Sequence, residues 1–145
     1  MAMATSVEVT VPGDVEHLAS LRDCVETFCD QLGQLPNFTM AVMLSVDEAA
    51  TNVVMHGYGQ CVGDVQLQVS VVDGSLVVRL TDTAPPYDPT QAPTPDISAP
   101  IEDRAIGGLG IHLIRNNMDV VAHRITEAGG NELTLTKRLA APQGA

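Results

Sequence analysis

Phe38-Thr39-Met40-Ala41-Val42-Met43-Leu44-Ser45-Val46-Asp47-Glu48-Ala49-Ala50-Thr51-Asn52-Val53-Val54-Met55-His56-Gly57-Tyr58 decides how the rest of the chain is read. Pro36-Asn37 starts a helix just ahead of it, and Gly57 ends one. The run is apolar almost all the way round, so the pattern predicts a helix inside the domain. Its methionines read as core filler. Yet Glu48, Asn52 and His56 recur at i, i+4 and i+8, which stacks a carboxylate, an amide and an imidazole along one face. Polar groups on a buried helix are costly without partners. Either the fold supplies them or a ligand does.

Outward from this helix, the preceding segment supplies a strand and a second helix. Val7, Val9 and Val11 alternate in Ser6 to Val11, and Pro12-Gly13 ends the strand. Asp14 is a fair N-cap for a helix whose apolar stripe is Val15, Leu18, Leu21, Val25, Phe28 and Leu32, with Gly33 as its stop. On the other side, Val65, Leu67, Val69 and Val71 alternate with polar residues. Asp73-Gly74 is a two-residue hairpin turn. The return strand sets Leu76, Val78 and Leu80 inward, and Asp82 continues that parity. It is a second charge on an apolar face.

From Thr83 to Ile106 six prolines break any regular pattern, and a loop of this length in a compact domain is functional or disordered. Gly107-Gly108-Leu109-Gly110 opens a short helix through Ile111, Leu113 and Ile114. Asp119 to Ile125 reads as a strand, Ala128-Gly129-Gly130 as a turn and Leu133 to Arg138 as the last strand. Four or five mostly antiparallel strands and three helices predict an α+β two-layer sandwich, with helices over one sheet face. One domain over residues 6–139 is expected, with flexible ends at 1–5 and 140–145.

Seven basic against eighteen acidic residues give a net charge of −11, which argues against a nucleic-acid or anionic-membrane surface. No apolar run reads as long enough to span a membrane, and Met1 to Thr5 has no charged n-region of a signal peptide. Cys24, Cys29 and Cys61 show no metal-like spacing and fit reduced thiols. His17, His112 and His123 read as surface or half-buried side chains.

The pieces also carry a chemistry. The glycine cluster at a helix N-terminus offers free N–H groups to an anion, or is a simple turn. Asn52 can give an oxygen to Mg²⁺, and Glu48, one turn away, can take a proton from a hydroxyl. Asp82 can accept from an exocyclic amine or cap the following turn. His56 can equally cap the helix C-terminus.

Three segments occur in a fixed order: Glu48-Ala49-Ala50-Thr51-Asn52 with His56-Gly57-Tyr58, then Asp82 to Pro89, then Gly107 to Ile114. They resemble the N, G1 and G2 boxes of the Bergerat-type (histidine-kinase-like, GHKL) ATPases. The Pro85-Pro86-Tyr87-Asp88-Pro89 form and the closing Gly129 to Lys137 segment are most similar to the bacterial anti-sigma-factor serine/threonine kinases. That resemblance implies Glu48 as general base, with Arg104 of the lid as a second catalytic group or a solvated side chain. It implies Mg²⁺ on Asn52. ATP would be contacted by Asn52, His56, Asp82, Ala84, Tyr87, Gly107, Gly108, Leu109, Gly110 and Ile111. It further implies a cytoplasmic homodimer that phosphorylates a STAS-domain antagonist and sequesters a sigma factor. The alternative is a nucleotide-binding module that regulates a protein partner without phosphoryl transfer. In one departure, Ala84 and Pro86 stand where the broader superfamily's G1 box has glycines.

Overall fold

A computed structural model describes residues 6–58, 63–91 and 108–140. In chain order it has β1 (Ser6–Pro12), a 3-10 turn (Val15–His17), α1 (Leu18–Gln31), α2 (Pro36–Asn52) and a π-helical extension (Val53–Tyr58). Then come β2 (Asp64–Val72), β3 (Ser75–Asp82), a second 3-10 turn (Pro89–Gln91), α3 (Gly108–Asn117), β4 (Val120–Ile125) and β5 (Asn131–Arg138).

The strands form one sheet in the order β1-β2-β3-β5-β4, with every neighbouring pair antiparallel. Period-two patterning gives it one apolar face. Val65, Leu67, Val69, Leu76, Val78, Leu80, Leu133 and Leu135 are all buried on that face. They share a core with Leu21, Val25 and Phe28 of α1, Val42, Val46 and Ala50 of α2, and Ile111 and Ile114 of α3. The opposite face carries Gln66, Gln68, Arg79, Thr81, Glu132 and Thr134, none of them buried. This is the α+β two-layer arrangement the patterning predicts.

Local signals act where expected. Asp73 and Gly74 both have positive φ (49° and 78°), the mark of a type I′ hairpin turn. Asp14 caps the first turn by accepting from the His17 N–H at 3.1 Å. Gly33 ends α1 at φ 71°. Arg22 on α1 meets Asp47 on α2 at 2.6 Å. Cys24 and Cys29 are free thiols, and burial pushes Cys29 up to about 11. Cys61 lies outside the described residues.

Four expectations change. The central helix is not enclosed: Met40 is 54% and Met55 56% exposed, and Leu44 is also exposed. A helix lying on a sheet is covered on one side only, so these methionines face outward instead of filling the core. Val15 likewise leaves the α1 stripe and is exposed, because the chain there is still a 3-10 turn. A span-length helix does exist: Pro36–Tyr58 runs 23 residues and contains an 18-residue window of mean hydropathy 1.2, long and apolar enough by those measures to cross a membrane. Here its inner face packs on the sheet and on α1 and α3. Finally, β5 starts at Asn131, two residues earlier than patterning suggested, which brings Asn131 opposite Asp82.

Candidate functional site

α2 delivers the first part of the site. Glu48 and Asn52, one turn apart, both face the first turn of α3. A Cβ placed on Gly110 would come within 3.0 Å of Glu48 Oε2 and 3.4 Å of Asn52 Nδ2. Glycine therefore lets the α3 backbone approach a carboxylate and an amide together. Beyond Asn52 the helix widens into a π turn, a feature frequent at functional sites. Asn52, Val53, His56 and Gly57 then all border one cavity of about 400 Å³.

The far wall of that cavity is the end of β3 and the segment after it: Asp82, Ala84, Pro85, Pro86, Tyr87 and Pro89. Ala49, Val53, Ile114 and Leu133 give it an apolar lining, with a few polar groups converging, the usual make-up of a small-molecule site. Asp82 is only 5% exposed. Its Oδ1 accepts from the Asn131 amide at 2.9 Å and from the Ala84 N–H at 3.0 Å. Thus Asp82 starts the following turn and also lines the cavity. Burial pushes its carboxyl up, while the Asn131 and Ala84 hydrogen bonds and the charge on His123 act the other way.

Three residues given no role at the sequence level hold this wall in place. Tyr58, buried at the end of the π turn, donates to the Asp64 carbonyl at 2.6 Å and accepts from the Thr83 N–H at 2.9 Å. It pins the helix end to the end of β3. Asn131 is 7% exposed. Besides Asp82, its Nδ2 faces the Ala84 and Pro85 carbonyls at 3.3 and 3.2 Å, and its Oδ1 accepts from the Tyr87 N–H at 2.9 Å. His123, read as a surface or half-buried side chain, is instead 6% exposed over its side chain. Its Nε2 is 2.7 Å from Asn131 Oδ1, and it borders the cavity. Its inward parity on β4 was the available signal. Asn131 gave none, because it falls between the Ala128-Gly129-Gly130 turn and the strand expected from Leu133.

Of the sequence-derived candidates, the fold brings Asn52, His56, Asp82, Ala84 and Tyr87 to the cavity. Glu48 does not line it; it meets Gly110 beside Asn52. The Ile111 side chain sits in the core. Gly108 and Leu109 open α3. Gly107 and Arg104 lie outside the described residues. No group of three or more His, Cys, Asp or Glu side chains that could hold a metal ion occurs among the described residues.

Comparison with known proteins agrees with this architecture. Residues 11–137 match the histidine kinase-like ATPase domain. Over 135 residues the chain is 25% identical to the serine-protein kinase RsbW of Bacillus cereus (strain AH820), covering 90% of this chain and 83% of that protein. The RsbW of Bacillus thuringiensis (strain Al Hakam) matches at the same identity and coverage. The crystal structure of the RsbU and RsbW domains of Rv1364c from Mycobacterium tuberculosis superposes with a TM-score of 0.71 at 17% identity over 97% of this chain. This chain spans 34% of that longer one, and the likeness establishes the fold.

Proposed function

We propose, from the premise that this chain belongs to the histidine kinase-like ATPase domain family, that residues 6–139 work as one domain. It is an ATP- and Mg²⁺-dependent protein serine/threonine kinase of the anti-sigma-factor type. Its partners are a STAS-domain antagonist, which it phosphorylates, and a sigma factor, which it sequesters; it acts in the cytoplasm as a homodimer. The single observation that carries the reading is one cavity lined by both the Asp82 carboxylate and the Asn52 amide, with Glu48 next to Asn52 against Gly110 of α3.

Each group has a task. Asp82 accepts from the exocyclic amine of the base. The apolar lining around Val53 and Leu133 excludes water from the ring faces. Asn52 offers its oxygen to Mg²⁺, which supplies charge neutralisation for the phosphates. The approach of Gly110 leaves backbone N–H groups of α3 free for anionic oxygens. Glu48 takes the proton of the acceptor serine hydroxyl as its oxygen bonds the γ-phosphorus and ADP leaves.

Replacing Glu48 by Gln tests this. Phosphate transfer to a STAS-domain substrate should vanish, while calorimetric ATP binding stays within about threefold of wild type, a difference under ~0.7 kcal/mol. If the substrate is still phosphorylated at the wild-type rate, Glu48 is not the base. If the wild-type protein binds ATP and phosphorylates nothing, the occupancy-switch alternative takes over.

A further inference from the structure

The cavity's acceptor does not stand alone. Asp82, Asn131 and His123 form a line of three buried side chains from β3, β5 and β4, and the line has a defined polarity. The Tyr87 N–H can only donate, so the Asn131 atom it meets is oxygen. Asn131 Nδ2 then points at Asp82 Oδ1 and two carbonyls. A His123 nitrogen 2.7 Å from that same oxygen must carry a proton, so His123 donates through Nε2. Its Nδ1 faces Asp88 Oδ1 at 3.8 Å. Oδ1 accepts from Asn131 and Ala84, and the Asn131 backbone adds a further hydrogen bond to the carboxylate.

We infer that His123, acting through Asn131, is the positioning residue that makes this cavity select a 6-amino purine over a 6-oxo purine. The inference rests on the proposed function, in that Asp82 reads the base. An ionised carboxylate held by these donors and lining the cavity is a pure acceptor. It pairs with a 6-amino group and repels a 6-oxo group. Burial alone drives Asp82 toward its protonated form, which can donate to a 6-oxo oxygen; the Asn131 hydrogen bond and the His123 charge oppose that drift. Without the His123 N–H, Asn131 Oδ1 keeps the Tyr87 N–H alone, so one of the two donors that hold its amide toward Asp82 is lost.

The test is calorimetric titration of the full chain with ATP and with inosine triphosphate, in wild type, His123→Leu and His123→Gln, with circular dichroism confirming each fold. Wild type should prefer ATP. His123→Leu should cut the ATP-to-inosine-triphosphate affinity ratio by roughly tenfold, the size of one lost hydrogen-bond constraint. His123→Gln should restore most of it, because its amide can again donate to Asn131. A His123→Leu protein that weakens both nucleotides in equal proportion, or keeps the wild-type ratio, overturns the inference while leaving nucleotide binding standing. A wild-type protein that binds neither nucleotide removes the underlying reading and the inference with it.

Discussion

Asp82 joins two opposing demands in one side chain. Its carboxyl sits above the ordinary value of 3.8 because burial disfavours the charge. The folded state therefore holds that proton more tightly than the unfolded chain. Its contribution to stability is fully present below the unfolded pKa and is lost as pH rises through the folded one. Ligand binding runs the other way, since an amine donor needs the ionised acceptor. ATP affinity should therefore begin to fall on acidification at a higher pH than an exposed carboxylate near ~3.9 would allow. Asp82→Asn should remove that pH dependence and weaken binding by tenfold or more, on the order of 1.5–3 kcal/mol for a hydrogen bond to a charged group. The same variant, without ligand at pH 7–8, should be at least as resistant to urea as wild type. A clear loss of unliganded stability would mean that Asp82 is there for the fold. Tyr58 makes the complementary case. Tyr58→Phe keeps the ring against Gly13 and Gly63 but strips the Thr83 N–H of its acceptor, at a cost of about 1–3 kcal/mol in urea denaturation.

Elements explain why some of this was readable in advance. Strand alternation and Asp73-Gly74 dictate β2 and β3, because a one-residue slip would turn Leu67 and Leu80 to solvent. Leu67→Ala should accordingly cost about 2–5 kcal/mol in denaturant unfolding. The helix from Pro36 was legible in extent but not in exposure. An all-apolar segment has no polar face to mark its outer side, so the exposure of Met40 and Met55 had no signal. The π turn was equally silent, since no residue type demands a wider turn. The Glu48–Asn52 register and the parity of Asp82 were visible, and the fold places all three at or beside the cavity. The Asn131–His123 pair was not, because parity points His123 inward but its partner depends on the β4–β5 register, and the link on to Asp82 on the β3–β5 register. Gly130 shows how tight that register is. An added methyl would collide with the Asp82 carbonyl oxygen and stand 2.8 Å from Thr83 Cα. Gly130→Ala should therefore push β5 off the end of β3. Its expected mark is a loss of nucleotide affinity larger than its drop in melting temperature would explain, read by titration beside a thermal melt.

The whole molecule is a thin structure, one sheet and one helical layer, with its cavity between α2 and the far ends of β3 and β5. The polar sheet face contributes no second core, so the site's walls also carry the domain on that side: Tyr58 ties helix to sheet, and Asn131 ties β5 to the end of β3. A ligand filling the cavity would bridge the same two layers, and binding should then appear as global stabilisation. At a ligand concentration about 100 times the dissociation constant, linkage gives about 2.7 kcal/mol. For a chain near 150 residues each kcal/mol moves the melting midpoint by roughly 2–4 °C, so Mg²⁺·ATP should raise it by about 5–10 °C. Asp82→Asn should lose most of that shift at the same concentration, because it loses affinity. Glu48→Gln should keep it, because Glu48 does not line the cavity and its proposed task begins only with the acceptor hydroxyl. Equal shifts in wild type and Asp82→Asn would place the nucleotide elsewhere on the molecule. An absent shift in Glu48→Gln alone would move Glu48 from proton transfer to binding.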